Sequence, residues 1–239
     1  MPLPFFYKEN LVASGIDVVL DEVSSKHIIQ VLRMQIDEQL QLTDGKGNLF
    51  TVKIKDDNRK KCSVTIIETS QIQHPKSNIS IAISPLKNNS RFEWFLEKAT
   101  EIGVAKIIPI ICERTEKMHL KNERMNSILV SAMLQSQQVW LPVLNEPVKF
   151  IEYVNYVKNE AGLQKYIAHC KDENNKQPLT SKLINQFTNK LILIGPEGDF
   201  TTTEIETAIA NDFIPVSLGN TRLRTETAGI VAAALLSIG

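Results

Sequence analysis

A loop with two glycines, residues 195–200 with the sequence GPEGDF, directly follows the apolar run at 191–194. Glycine allows the backbone of a loop to come close to a ligand. Thr201 and Glu204 then form a capping box, which predicts that a helix begins at this point. The loop matches neither the dinucleotide motif GxGxxG nor the P-loop motif. The segment therefore indicates either another type of ligand-binding loop or a plain strand-to-helix turn.

Two further loops carry a similar signal near the end of the chain. Residues 217–220, SLGN, end a second apolar run, and residues 223–228, LRTETA, lead into an Ala-rich segment. Arg222 and Arg224 flank the turn between them. Two guanidinium groups beside glycine-containing strand ends suit an anion or the edge of a base. These loops therefore predict a binding site for a polar ligand.

The elements that must position these loops alternate between strands and helices from residue 79 onward. This alternation predicts an α/β domain with a mostly parallel sheet covered on both faces. Ligands of such sheets bind beyond the carboxyl ends of the strands, where all three loops fall. The predicted strands are 79–84, 107–111, 166–170, 191–194 and 214–218, and the predicted helices are 91–102, ending at Gly103, 123–138, 203–210 and one from 226.

The first 70 or so residues are β-rich. Strands at 39–43 and 49–55 flank the sequence DGKG, which is a strong hairpin signal, and a third strand is expected at 62–68. A short helix is expected at 25–34, capped by Ser24 or Ser25, with apolar side chains at 28, 29, 31 and 32. The polar segment 71–78 then separates a small β-barrel domain, 1–72, from the α/β domain, 73–239.

Composition limits the classes of protein that remain. The 239 residues carry 27 Lys and Arg against 27 Asp and Glu, so any surface for nucleic acid must be local. The three cysteines and four histidines are scattered, which favours reduced, half-buried thiols and predicts no metal site. No apolar run is long enough to span a bilayer, and the first residues lack the features of an export signal. We therefore expect a cytoplasmic protein.

Basic side chains form two local clusters that are candidates for binding phosphates. The first surrounds a predicted β-turn and is diluted by Asp56 and Asp57, and the second follows the strand at 107–111. Charge runs of this kind are also common on ordinary solvated surface. The first cluster comprises Lys53, Lys55, Arg59, Lys60 and Lys61, and the second comprises Arg114, Lys117, His119, Lys121 and Arg124.

Several motifs together resemble one family over nearly the whole chain. The specific ones are GPEG at 195–198 and LRTETA at 223–228, supported by the stretch 91–103, which begins with RFEW and ends with KATEIG, by ERT at 113–115 and by QS at 135–136. The chain resembles the SPOUT methyltransferases and, within them, the RsmE family. The β-rich front is similar to the PUA-like RNA-binding domain of that family.

The resemblance implies properties that periodicity does not reveal. It implies methylation of N3 of a uridine in 16S ribosomal RNA of the small subunit, with S-adenosylmethionine as the donor. It also implies a C-terminal trefoil knot and a homodimer with the active site near the interface. The residues implied to hold the cofactor are Ile194, Gly195, Pro196, Glu197, Gly198, Leu218, Gly219, Leu223, Thr225, Thr227 and Ala228.

Catalytic roles follow from the chemistry of uracil N3, which must lose a proton and spread charge to the carbonyl oxygens. Arginine stays protonated and can hold those oxygens or a phosphate. Arg224 is assigned this role, with Arg222 and Arg114 as weaker candidates. Glu226 can accept a proton or serve as a carboxylate at a helix end, where Thr225 would be the cap, so the base remains open.

Three departures from the family pattern and three alternatives accompany this interpretation. Asp199 stands where the family often has a second glycine, Leu3 and Pro4 replace a usual arginine, and Gln137 and Gln138 replace another. The alternatives are a SPOUT enzyme that methylates a different atom, a non-catalytic RNA-binding module that has kept the fold, and a nucleotide-dependent oxidoreductase. The missing GxGxxG motif opposes the last of these.

Overall fold

A computed structural model describes residues 3–11, 15–73, 78–116, 120–171, 176–182 and 189–238. The chain divides into two compact units, which are described separately. The first comprises Met1–His74 together with Met133–Leu141, and the second comprises Pro75–Ala132 together with Pro142–Gly239.

The first unit is a five-stranded sheet with the strand order β1-β3-β4-β5-β2. Its neighbouring strands are antiparallel except for the parallel pair β1 and β3. Alternating side chains of β3, β4 and β5 form a core that also contains Ile28. The elements are β1 Phe5–Tyr7, β2 Asp17–Val19, α1 Glu22–Lys26, a π-helical turn His27–Val31, β3 Gln39–Thr43, β4 Asn48–Asp56 and β5 Ser63–Gln71.

The predicted hairpin is confirmed, and the reason for its two glycines is visible. Gly45 and Gly47 have φ values of 72° and 89°, which favour glycine over residues with a side chain. The Asp44 carboxylate accepts a hydrogen bond from the backbone N–H of Lys46 at 2.8 Å. A Cβ at Gly47 would lie 2.2 Å from the ring of Trp140, so packing also excludes a side chain there.

The predicted helix at 25–34 begins earlier than expected, at Glu22, so the predicted cap was wrong. Asp21 is the cap and accepts from the N–H of Ser24 at 2.9 Å, whereas the Ser25 hydroxyl accepts from the N–H of Cys62. Val31 and Leu32 are 68% and 42% exposed. The chain passes into a π-helical turn, whose wider spacing rotates these side chains away from the core.

The second unit has an eight-stranded sheet in the order β11-β13-β10-β12-β6-β7-β8, and β9 also pairs with β7. Every pairing in it is parallel, which confirms the predicted architecture. The elements are β6 Asn78–Ile83, α2 Asn89–Ile102, β7 Lys106–Ile111, α3 Asn122–Gln135, β8 Val143–Leu144, β9 Val148–Lys149, α4 Phe150–Tyr156, β10 Leu163–Ala168, β11 Gln177–Pro178, a 3-10 turn Leu179–Lys182, β12 Asn189–Ile194, α5 Thr202–Ala210, β13 Ile214–Ser217 and α6 Thr225–Ile238.

The order of these strands determines where the loops meet. Strand β10 lies between β12 and β13, and its last residue, Ala168, is in register with Ile194 on one side and Val216 on the other. The carboxyl ends of three neighbouring strands therefore face the same edge. Helix α6 packs against α2, and a Cβ at Gly229 would lie 2.6 Å from Phe95, so the two helices approach closely.

Two features are absent from the residues that the structure describes. None of their helices is long and apolar enough to cross a membrane. They also contain no group of three or more side chains of the kinds that hold a metal ion.

Cys62 and Cys112 are buried, and burial raises the pKa of the Cys62 thiol to about 11. All three cysteines differ from the expected half-buried thiols, because Cys62 and Cys112 are buried and Cys170 is exposed.

Candidate functional site

Two adjoining cavities lie at the carboxyl ends of β10, β12 and β13. Their volumes are about 380 and 210 Å³. The larger cavity is lined by the loop after β12 and by residues 222–225, and the smaller by the loop after β13. They share Ala168, Cys170, Arg222, Leu223 and Ala228. The loops singled out in the sequence therefore converge on one continuous site.

The loop 195–200 is held in shape by contacts on both sides. A Cβ at Gly195 would lie 3.1 Å from the Phe200 ring, so the turn closes tightly over that buried side chain. The Thr225 hydroxyl donates to the carbonyl oxygen of Gly195 at 3.0 Å. This bond joins the loop to the start of α6, and the hydroxyl acts as a donor to a neighbouring loop rather than as a helix cap.

Arg114 supports the same loop from outside the cavities. Its Nη1 donates to the carbonyl oxygen of Gly198 at 2.7 Å, and its aliphatic stem packs on the Gly198 backbone. The position of Arg114 is secured by its neighbours, since the N–H of Glu113 donates to the Glu204 carboxylate. Glu204 also completes the predicted capping box with Thr201, which is confirmed.

Asp199 explains one departure from the family pattern. Its φ is 62°, a left-handed conformation that glycine adopts freely and aspartate tolerates better than most residues. The carboxylate accepts from the N–H of Cys170 at 2.9 Å and from the N–H of Phe200 at 2.9 Å. The aspartate therefore keeps the backbone shape and adds a bond between the first loop and the end of β10.

The loop after β13 presents backbone to the smaller cavity. Leu218, Gly219 and Asn220 line it. Gly219 has a φ of 145°, and a Cβ built there would meet nothing within 4 Å. The backbone conformation therefore favours glycine at this position, and the absence of a side chain leaves the peptide groups accessible to a ligand.

Most of the predicted site residues line the two cavities. Gly198 and Thr227 are not among the described lining residues, and neither are Arg114 and Glu226. Glu226 lies in the first turn of α6, where it is 6% exposed. The predicted residues that do line a cavity are Ile194, Gly195, Pro196, Glu197, Leu218, Gly219, Arg222, Leu223, Arg224, Thr225 and Ala228.

Sequence reasoning missed the side chains supplied by β10 and α2. Ala168 and Cys170 lie within the predicted strand 166–170, but the place of this strand between β12 and β13 was not predicted. Arg91 lines the larger cavity from the first turn of α2. Its Nε lies 3.7 Å from Oε1 of Glu226. The signal available in the sequence was the family-like motif that begins at Arg91.

The basic clusters differ in how much of their charge is available. Lys53 pairs with Asp37 at 2.9 Å, and Lys55 pairs with Asp17. Arg124 pairs with Glu93, while Lys121 is exposed. Lys117 and His119 lie outside the described residues. Arg59 and Lys60 line an open cleft of about 550 Å³ in the first unit, and Lys61 beside them is exposed.

The fold and the site define the chain as an RNA methyltransferase. Residues 73–237 match the family model described as an RNA methyltransferase domain. Residues 20–67 match the model described as an RNA methyltransferase PUA domain. The first match includes all three loops and both cavities, and the second lies within the first unit.

More narrowly, the chain belongs to the ribosomal RNA small subunit methyltransferase E family, as its motifs predicted. It is 31% identical to that enzyme of Rickettsia conorii, over 89% of this chain and 87% of the relative, and 31% identical to that of Synechocystis, over 92% and 72%. The crystal structure of the Neisseria gonorrhoeae enzyme, bound to S-adenosylmethionine, has 27% identity and a TM-score of 0.86, covering 99% of this chain and 97% of that one.

Proposed function

We propose that this protein transfers a methyl group from S-adenosylmethionine to N3 of a uridine in 16S ribosomal RNA of the small subunit. The observation that carries the proposal is the convergence of three loops on adjoining cavities at the carboxyl edge of the sheet. The names of the relatives and the cofactor in the gonococcal structure support it. The PUA match supports an RNA substrate.

The residues present fit the proposed cofactor. Cavities of about 300–1,000 Å³ with mostly apolar walls and a few polar groups suit small ligands, and the larger cavity falls in this range. Ile194, Leu223 and Ala228 provide apolar walls, while Gly195 and Gly219 bring backbone groups close. When bound, S-adenosylmethionine supplies a methyl group on a positively charged sulfur that a nucleophile can displace.

Arg224 and Arg222 are the residues we assign to the uracil. Both are exposed and line the larger cavity beside Leu223. A guanidinium group stabilises negative charge on the uracil carbonyl oxygens as the N3 proton leaves, or it holds a neighbouring phosphate. Arg114 has a different task in this scheme, because its guanidinium group supports the carbonyl of Gly198.

Glu226 is assigned no proton transfer in this proposal. Its carboxylate is buried at the start of α6 and faces Arg91 instead of lining a cavity. A general base must reach the proton that it removes, either directly or through one water molecule. We therefore treat Glu226 as a partner of Arg91.

The proposal also includes the RNA contacts and the assembly of the protein. Arg59, Lys60 and Lys61 are exposed, and none forms a salt bridge with a described residue, so their charge is available to phosphates.

The expected trefoil knot and homodimer remain predictions from the family resemblance. Light scattering of the purified protein would test the dimer.

The decisive test is mass spectrometry of 16S ribosomal RNA from a strain that lacks this protein. We expect one methyluridine to disappear and to return when the wild-type gene is supplied. The Arg224→Ala variant should fail to restore it, yet bind S-adenosylmethionine within about tenfold of the wild type. Unchanged methylation, or loss of a methyl group from another atom, would refute the assignment to uracil N3.

A further inference from the structure

Arg91 reaches the larger cavity from a different part of the chain than the other arginines there. It is the third residue of α2, and its side chain is 43% exposed. Arg222 and Arg224 line the same cavity from the loop before α6. Three guanidinium groups therefore border one space of about 380 Å³.

Among the residues that the structure describes, Glu226 is the acidic residue that forms an ion pair with Arg91. The side chain of Glu226 is 8% exposed, and its Oε1 lies 3.7 Å from the Arg91 Nε, which is an ion-pair distance but not a hydrogen bond. Its Oε2 is buried and has no hydrogen-bond partner among the described residues. A buried carboxylate in this state is unfavourable unless a nearby positive charge compensates it.

The ion pair with Glu226 does not use all the N–H donors of the Arg91 guanidinium group. A guanidinium group has five N–H donors in a fixed plane, and the ion pair involves the Nε side of it. The cavity also contains the carboxylates of Glu197 and Asp199, but Asp199 already accepts two backbone hydrogen bonds. Three arginines line the cavity against two carboxylates, because Glu226 is not among its described lining residues, and the cavity therefore suits an oxyanion.

We propose that Arg91 binds an oxyanion in the larger cavity and that Glu226 is the positioning residue that holds Arg91 in place. This inference rests on the proposed function, because it takes the cavity to be the cofactor and substrate site. Two groups in that reaction have the required chemistry, namely the carboxylate in the methionine part of the cofactor and a phosphate of the RNA. Either one would complete the bonding of the Arg91 guanidinium.

Calorimetry with two probes tests the role of Arg91 and identifies the anion. S-Adenosylhomocysteine carries the carboxylate, whereas 5′-methylthioadenosine lacks the amino-acid part. If Arg91 binds the carboxylate, Arg91→Ala weakens binding of the first probe by about 10- to 100-fold, the usual worth of a charge-assisted hydrogen bond, and leaves the second unchanged. If it binds a phosphate, both affinities stay unchanged and the salt slope of RNA binding falls by about one.

Lys98→Ala is the matched control, since Lys98 lies on α2 and pairs with Glu97 and Glu101 away from the cavity. It should change neither probe affinity nor the salt slope. Equal losses for both probes with Arg91→Ala, or no change in any of the three measurements, would overturn the proposal. If the wild-type protein bound neither probe, the proposed function itself would fail, which is a different result.

The positioning role of Glu226 has its own readout. Glu226→Gln keeps the shape of the side chain but removes its charge, so we expect a smaller loss in the same measurement that Arg91→Ala affects. The double variant should be no worse than Arg91→Ala alone, because Glu226 acts through Arg91. Additive losses would show that Glu226 acts independently and would overturn this part.

Discussion

Asp199 offers a sharp test of how the first loop is built, because its backbone and its carboxylate make separable contributions. The backbone has a φ of 62°, and the carboxylate accepts from the N–H groups of Cys170 and Phe200 at 2.9 Å each. Substitution by Gly removes the carboxylate but suits the backbone. Substitution by Ala removes the carboxylate and leaves a strained backbone, whereas Asn keeps one acceptor oxygen.

The magnitudes follow from these contacts. Two partly exposed hydrogen bonds contribute about 1 kcal/mol each to the free energy of unfolding. A left-handed backbone costs a residue with a Cβ about 1–2 kcal/mol. Glycine avoids this strain but lowers the free energy of unfolding by about 0.5–1 kcal/mol, because its unfolded chain has more conformational freedom. We therefore expect Asp199→Ala to destabilise the protein by about 2–3 kcal/mol, Asp199→Gly by about 1–1.5 kcal/mol and Asp199→Asn by less than 1 kcal/mol.

The affinities of these variants for S-adenosylmethionine should not rank in the same order as their stabilities. Loss of the carboxylate releases the first loop from the end of β10, so the Ala and Gly variants should lose similar affinity although their stabilities differ. Urea denaturation and calorimetry give the two quantities. Asp212 is a matched control because it has a φ of 64° in the same unit and lines neither cavity, so Asp212→Gly should leave the cofactor affinity unchanged. Equal stability of Asp199→Ala and Asp199→Gly, or cofactor affinity equal to that of the wild type, would refute this reasoning.

Three further predictions concern other contacts. Thr225→Val leaves the buried carbonyl of Gly195 without its donor and should cost about 1–2 kcal/mol of unfolding free energy, measured in urea. Asp21→Ala removes a helix cap and should cost about 1 kcal/mol at pH 7. Burial raises the pKa of Asp21, but its hydrogen bonds outweigh this and lower the pKa overall, so the difference from the wild type should shrink as the pH falls through that lowered pKa. Charge reversal at Lys60 and Lys61 should weaken RNA binding and reduce its salt slope, and an unchanged slope in filter-binding titrations would exclude this patch.

The local sequence was sufficient to predict the elements with strong periodicity. The hairpin around Gly45 and Gly47, the helix that ends at Gly103 and the capping box of Thr201 all depend on residues close together in the chain. Such signals act over a few residues, so tertiary contacts do not need to be known. The π-helical turn at His27–Val31 was missed because its bonding pattern departs from ordinary helix spacing.

The sequence by itself determined which strands end in glycine-containing loops and that these loops suit a ligand. Only the tertiary structure decided which strand ends are neighbours. Strand β10 lies between β12 and β13, and the packing of α6 on α2 brings Arg91 to Glu226. The order of strands in a parallel sheet depends on connections between distant segments, so no local pattern specifies it. The cavity therefore combines loops visible in the sequence with a β10 end and an arginine that only the packing of strands and helices brings to it.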